Sequence, residues 1–597
     1  MEYVDHLISC KNVSVTPCPK AEGYSFEAGL FGLNAEITRK GIFGGLSAQM
    51  LNNRKLYMGQ DTADGWTCEG FERVTDRPHE SLCESHFIIL RDGGRMAQTS
   101  PVIVLRDGEE YEAKTWVKAL TPCASVTFGI AGMEQTFSLE ADGAAYRELA
   151  FTFPGCDLDE GSFSVSVTGE VAVYEVSLMP VHHFHGMRWD VIELLRKLAP
   201  TSIRFPGGCA ADHFDWKESL KAPEFRKPAD GTSKTWFLFR DSYHQDALDI
   251  GLNEFILLCR EIGAEPEYTV SLILSDGEDA RRLVEYCNGS ADTEFGAKRQ
   301  ALGLDPFGIR LWYVGNEAYF FGGVYQGSLA AARRTDELVA GMRRADDSID
   351  VAIGLTWGYG FRDWAREFMD TLTCRFDYVS YHDYIGILPD ASQGENGMAT
   401  TSMLEDNFID GECFGLNFYR NELYAENFRD IRICVDEWNY TWGKDSSNAM
   451  LFSNLLQFHF LAKGKESYHI DRAEFFMPVN EGMITVRGNL CRMESTGEMF
   501  RLMAGHKGGR VIPCEADTAD VDILCTDHGD TLFLSVVNRR GEACRISCDG
   551  YAVQALTEIR TGEYSFESND FTVEHPSEAV VFGHSVLFMT LKPISRL

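Results

Sequence analysis

The segments IRLWYVGNE (309–317) and IRICVDEWN (431–439) decide how this chain of 597 residues is read. Each is an apolar run of strand length that breaks into polar residues, Gly-Asn-Glu at 315–317 and Asp-Glu-Trp-Asn at 436–439. Short apolar runs of this kind, alternating with helices, read as the strands of an α/β fold. Working outward, the pattern recurs in TSIRF (201–205), EYTVSL (267–272), DVAIGLT (350–356), FDYVSYHDY (376–384) and AEFFMPVN (473–480). Helical segments lie between them. WDVIELLRKLAP (189–200) places Leu194, Leu195 and Leu198 on one face and stops at Pro200. LNEFILLCREIG (252–263) carries Phe255, Leu258, Cys259 and Ile262 at helical spacing, with Gly263 as its stop. Seven strands thus alternate with helices, and YSFEAGLFGLNAE (24–36) supplies an eighth. Eight strands in this rhythm predict a (β/α)8 TIM barrel.

The first strand is separated from the others by residues 86–178, which read as all-β. Alternating runs such as VIVLRDGEEYEAKTWVKAL, ASVTFGIAG and SFSVSVTGEVAVYEVSLMP are punctuated by Asp-Gly at 92–93, 107–108 and 142–143. Strands at this spacing predict a β-sandwich of about 90 residues, inserted into the barrel. From about residue 508 short strands return, with turns at HGD and RRG, so a second β-sandwich closes the chain. The expected organisation is an N-terminal strand (1–22) packing on the C-terminal domain, then the first part of the barrel (23–70). The inserted sandwich (71–182), the rest of the barrel (183–507) and the C-terminal sandwich (508–597) follow.

Composition narrows the function classes. Hydrophobic residues make up 44% and charged residues 24%, the proportions of an ordinary globular protein. Ninety acidic against 55 basic residues give a formal charge of −35. Such a surface repels phosphate backbones and anionic lipid, so neither nucleic acid nor a membrane is an expected partner. The N-terminus lacks a basic region followed by an apolar one, and no apolar run reaches the roughly 20 residues of a membrane helix; a cytoplasmic location is expected. The 17 cysteines are odd in number and scattered, and Cys259, Cys374 and Cys434 sit in apolar patterns, which suits free thiols in a reducing compartment. Cys544 and Cys548 stand four apart, but no second pair completes a zinc site. His182, His183 and His185 approach metal-ligand spacing without acidic neighbours and read as a packed interdomain segment. No phosphate-binding glycine loop is present, and no metal or cofactor is expected.

In such barrels the chemistry stands at the C-terminal ends of the strands. Those ends carry, in order, Glu36; Arg204 with Gly207 and Gly208; Asn316 and Glu317; His382 and Tyr384; and Glu437 with Trp438 and Asn439. Glu317 and Glu437 end the fourth and seventh strands, which face each other across the mouth. Carboxyl groups about 5–5.5 Å apart suit retaining glycoside hydrolysis, and about 6.5–9.5 Å suits inversion. The pair must divide its labour, one protonated and one ionised. Asn316 is placed to meet a sugar 2-hydroxyl, Tyr384 to hold a carboxylate and Trp438 to form an apolar wall. Singly these motifs are ambiguous, since Gly-Asn-Glu is commonly a loop and a lone histidine is commonly core. Their order, each at a strand end, carries the reading.

Together the motifs resemble glycoside hydrolase family 51, typified by α-L-arabinofuranosidases, within a clan of barrels with catalytic glutamates on strands four and seven. The resemblance rests on FGLNAEITRKGIFGGLSAQMLNNRKL, SIRFPGGCAADHFDWKESL, LNEFILLCREIGAEPEY, RRLVEYCNGSADTEFGAKR, LWYVGNE, YVSYHDY and VDEWN, spread over most of residues 24–482. It implies that Glu317 is the acid/base and Glu437 the nucleophile, that Glu36 and Asn316 bind the glycone, and that His382 and Tyr384 line the site. It also implies a carbohydrate-binding-type sandwich at 86–178. Two positions depart from the pattern: Cys209 stands where many members have a sugar-binding asparagine, and Met477, followed by Asn480 and Glu481, where a glutamine is common. Arg204, Cys209, Trp438 and Asn480 complete the expected substrate-binding set. The implied activity is that of a retaining exo-α-L-arabinofuranosidase acting on arabinose-containing oligosaccharides. Other readings are hydrolysis of a galactofuranoside, β-xyloside or β-glucan, or non-catalytic carbohydrate binding. The sequence is compatible with a homo-oligomer. It leaves open whether Trp116, Tyr111 and Tyr146 of the insert stack on sugars or fill its core.

Overall fold

The computed structural model describes residues 11–594 apart from 59–62, 144–145, 229–246, 319–326, 355–361, 386–430, 441–447, 519–520, 539–541, 562–565, 573–577 and 584. Eight parallel strands close a barrel in chain order: Gly32–Asn34, Ser202–Phe205, Glu265–Val270, Leu311–Val314, Asp350–Gly354, Tyr378–Ile385, Arg432–Tyr440 and Ile470–Phe476. The barrel expectation is borne out strand by strand. Buried on both faces, Ser202–Phe205 and Leu311–Val314 have no exposed residue, which is why they read as unbroken apolar runs.

The helices cover the barrel as amphipathic stripes. Trp189–Leu198 buries Val191, Ile192, Leu195 and Leu198, while Leu194 stays half-buried beside that stripe. Leu252–Ile262 buries Phe255, Leu258, Cys259 and Ile262 and ends at Gly263 with φ of +80°, a left-handed stop that glycine adopts without strain. Register sets the mouth. Arg204 is level with both Asn34 and Glu267. A shift between Ser380 and His382 brings His382 opposite Glu437. Such irregularities re-aim side chains beside active sites.

The insert is one eight-stranded sheet folded around its own core. Alternation buries Tyr111, Ala113 and Val117 on one strand and Val126, Phe128 and Ile130 on another. Its packing starts upstream of residue 71, the expected boundary. Thr67–Val74 pairs with Phe87–Ser100, and Leu51, Leu56, Ala63 and Trp66 join the sandwich core. That strand escaped notice because only Val74 of its eight residues is buried. Lys11–Pro17 lies between Cys514–Ala516 and Cys544–Cys548, with Val13 and Val15 in the C-terminal core.

The fifteen cysteines among the described residues are free, and Cys544 and Cys548 are both buried in one strand of that core. His182 stacks on Trp189 at 5.9 Å, His183 Nδ1 accepts the Gly186 N–H at 2.9 Å, and His185 meets Phe184 edge-on. No helix among the described residues is long and apolar enough to cross a membrane.

Insert and barrel are locked by charge. Arg54, at the start of the insert, pairs with Glu175 on the sandwich and donates Nε to Asp249 on the barrel at 2.7 Å, and its side chain is 4% exposed. Lys55 Nζ, also buried, donates to the carbonyls of Arg226 and Ala247 at 2.8 and 2.7 Å. Arg54→Ala strands two carboxylates, one of them fully buried, a change that costs about 3–5 kcal/mol. Denaturant unfolding followed by tryptophan fluorescence is expected to show that loss, and a change below about 1 kcal/mol contradicts the lock.

Candidate active site

The mouth begins with two glycines. Gly207 has φ of +105°, and a Cβ there would lie 2.4 Å from Glu36 Cβ; one on Gly208 would lie 2.1 Å from Glu437 Oε1. A side chain at either glycine of the Phe-Pro-Gly-Gly turn would therefore collide with Glu36 or Glu437.

Beneath them lies Arg204, 0% exposed. Its Nη1 sits 3.2 Å from both Asp436 Oδ2 and Glu437 Oε1, Nη2 donates to Asn316 Oδ1 at 2.8 Å, and Nε donates to Thr269 Oγ1 at 3.1 Å. The guanidinium also stacks 4.7 Å from the Tyr313 ring centroid.

Glu437 receives, besides Arg204, the Tyr384 hydroxyl on Oε2 at 2.6 Å, and His382 Nδ1 lies 3.5 Å away. Burial pushes its carboxyl above the usual range, and His382, Arg204 and Tyr384 oppose that rise while Glu317 adds to it. Glu317 is half-buried, with Oε1 2.8 Å from His382 Nδ1. One carboxylate oxygen of each glutamate and one nitrogen of His382 all lie within 4.8 Å of one another. That spacing belongs to the close class of carboxyl pairs. The three atoms are also the one group among the described residues whose spacing suits a metal ion.

His382 is the hinge of the charge network. Burial works against its cation, but Glu437 and Asp436 outweigh it and hold the imidazole well above its ordinary value. Asp436 accepts from Ser380 Oγ at 2.6 Å on one oxygen and faces His382 Nε2 at 3.6 Å and Arg204 with the other. Its own carboxyl is held below the ordinary range: burial opposes this, and Arg204 and His382 prevail. Glu36 accepts the Ala210 N–H at 2.9 Å, and its carboxyl is pushed up to about 7 by burial and then by Glu437.

Comparison with known proteins agrees with this geometry. Residues 194–385 match the model of the α-L-arabinofuranosidase 1 domain. An intracellular exo-α-(1→5)-L-arabinofuranosidase of Halalkalibacterium halodurans is 29% identical over 279 residues, 45% of this chain and 53% of the relative. An exo-α-(1→6)-L-arabinofuranosidase of Bifidobacterium longum is 27% identical over 270 residues, 42% and 48% of the two chains. The match thus spans about half the length of these curated relatives. An arabinose-bound MgGH51 α-L-arabinofuranosidase superimposes with a TM-score of 0.74 at 16% identity, over 98% of this chain and all of that one. The resemblance to glycoside hydrolase family 51 is borne out.

On this barrel the expected residues fall into two groups. Glu36, Arg204, Cys209, Asn316, Glu317, His382, Tyr384 and Glu437 converge through the contacts above and those of Cys209. Its Sγ, half-buried, lies 3.7 Å from Asn316 Nδ2 and 3.8 Å from Glu317 Oε2. Burial, then Glu317, pushes that thiol well up, so it stands as neutral S–H. Met477 is buried against Tyr384 and Phe476 at the rim.

Three expectations are corrected. Arg204 lies under the carboxylates with its donors committed to protein, so it positions the site and is not placed to meet substrate. Trp438 forms no wall of the mouth: it is fully buried in the outer core, edge-on to Phe475 at 5.0 Å and Phe458 at 5.7 Å. Asn480 spends its amide on backbone, Nδ2 donating to Lys40 and Gly44 carbonyls and Oδ1 accepting the Val486 N–H. It ties down the loop that leaves the first barrel strand. Sequence reasoning assigned no role to Asp436 or Ser380. The signal for Asp436 was its place one residue before Glu437 in an otherwise apolar strand.

Asp436→Asn removes one of three carboxylates that face His382, leaving Glu317, Glu437 and the Ser380 hydroxyl. The imidazolium is expected to lose its proton at lower pH than in the parent, followed by NMR of the ring protons. An unshifted titration contradicts the role given to Asp436.

Proposed function

We propose that this chain is a retaining glycoside hydrolase, an exo-acting α-L-arabinofuranosidase that releases arabinose from arabinose-containing oligosaccharides. The observation that carries the proposal is the close pair Glu317 and Glu437 with unequal surroundings. Glu437 is met by Arg204, Tyr384 and His382, all of which favour its anion, as a nucleophile requires. Glu317 is more open, and among the described residues its hydrogen-bond partners are His382 at 2.8 Å and the thiol of Cys209.

In the first step Glu437 attacks the anomeric carbon as Glu317 protonates the departing glycosidic oxygen, giving a covalent glycosyl-enzyme. In the second, Glu317 takes a proton from water, which displaces Glu437 and restores both groups. Asn316, its carbonyl held by Arg204, turns its NH2 toward Cys209 and the glycone side, where a sugar 2-hydroxyl would gain most as positive charge develops. Glu36 near neutral pH supplies either a donor or an acceptor to the same ring. Cys209 offers only a weak donor, so the polar grip on the sugar rests on Asn316 and Glu36. The substrate is a carbohydrate and no cofactor takes part in this scheme. A cytoplasmic location is supported by the names of relatives described as intracellular.

A panel of chromogenic glycosides tests the sugar: turnover of the α-L-arabinofuranoside is expected to exceed that of the galactofuranoside, β-xyloside and β-glucoside. No turnover of the arabinofuranoside overturns the sugar assignment. Glu437→Ala is expected to lose at least about 10³-fold in kcat. Added azide, standing in for the carboxylate, is expected to restore part of it, and unchanged activity in that variant overturns the nucleophile.

A further inference from the structure

The inserted sandwich and the barrel enclose a cleft of about 280 Å³. Its walls come from four places: the segment leaving the first barrel strand (Gly44 and residues 47–50), the sandwich, the first turn of helix Trp189–Leu198, and the hairpin after the eighth barrel strand at Gly488. Two of these are extensions of the mouth. Gly44 belongs to the loop that begins at Glu36, and Gly488 to the segment that begins at Met477, and Asn480 ties one to the other. Two walls of the cleft are therefore built from the loops that leave the mouth.

Its chemistry is specific. Trp189, half-buried, and His182, stacked 5.9 Å from it, give the cleft an aromatic wall, and Phe184 packs on Trp189 at 5.0 Å. Beside it Arg188 clasps both oxygens of Asp190, at 2.9 and 2.7 Å, and Arg106 reaches the Asn489 carbonyl at 2.9 Å. Glu109 and Glu193 complete the rim, so two guanidinium groups face three carboxylates. Charge is nearly balanced and slightly negative, which disfavours an anion, and the guanidiniums disfavour a cation. A neutral polyol fits both constraints. Its C–H face lies on an aromatic ring, and its vicinal hydroxyls pair with planar, paired polar groups. The volume is at the lower end of small-molecule sites, roughly 300–1,000 Å³, and suits one or two sugar units.

We propose that this interdomain cleft is a second carbohydrate subsite, which binds a neutral sugar unit of the arabinose-containing glycan away from the bond being cleaved. The inference rests on the activity proposed above. It gives the insert a location for glycan contact at its junction with the barrel. Tyr111, almost wholly buried, closes the sandwich side of the cleft, and Trp116 is packed edge-on between Tyr146 and Phe225.

The full-length Glu437→Ala protein, which cannot consume its ligand, is titrated by calorimetry with an α-1,5-linked arabinohexaose. Two binding events are expected, and one after Trp189→Ala is added. His182→Ala, which removes the ring stacked on Trp189, and Glu193→Gln, at an exposed helix position, are expected to weaken the same event about fivefold or more. In the active enzyme Trp189→Ala is expected to raise KM for the hexaose several-fold while kcat/KM for an aryl arabinofuranoside stays unchanged. A single event in Glu437→Ala, or two events that survive all three cleft variants, overturns the subsite while leaving the catalytic proposal intact. Failure of the otherwise unsubstituted enzyme to cleave any arabinofuranoside overturns both.

Discussion

The buried guanidinium of Arg204 is the constraint on which the mouth depends. It stands between Asp436 and Glu437 on the seventh strand and Asn316 on the fourth, so one planar group sets the spacing across the barrel. Two adjacent carboxylates with no exposure to speak of are tolerable only with a cation in contact. Arg204 is itself supported from below, where Tyr313 stacks on it and donates its hydroxyl to Glu267 at 3.1 Å, and Glu267 pairs with Arg472. The barrel interior is thus a stack of charge layers that ends at Glu317 and Glu437.

Above that stack, His382 couples the two glutamates. It touches Glu317 and Glu437 with one nitrogen and faces Asp436 with the other, so a proton on the ring is shared electrostatically among three carboxylates. A change of charge on any one of these four groups is therefore felt by the other three. The two glycines after Phe205-Pro206 complete the arrangement by removing the side chains that would hold Glu36 and Glu437 apart.

Much of this was legible in the sequence, for physical reasons. Parallel barrel strands are buried on both faces, so LWYV and IRICV stood out as apolar runs, and the polar residues that end them marked where the mouth lies. The same logic failed at Trp438, because strand-end position does not say which way a side chain points. An indole in that strand was free to pack outward on Phe458 and Phe475. Arg204 looked like a sugar ligand, since a chain of letters cannot show that its donors are already taken. The edge strand Thr67–Val74 was missed because it is mostly exposed and carries no alternation.

The central claim is that Glu437 forms the covalent bond to the sugar, with Glu317 managing the proton. The most direct measurement is to react the enzyme with a slow-deglycosylating fluorinated arabinofuranoside and map the adduct by peptide mass spectrometry. The account predicts one pentosyl group on the peptide that contains VDEWN, attached at Glu437. An adduct at another residue, or full turnover with inverted product and no adduct, would contradict it.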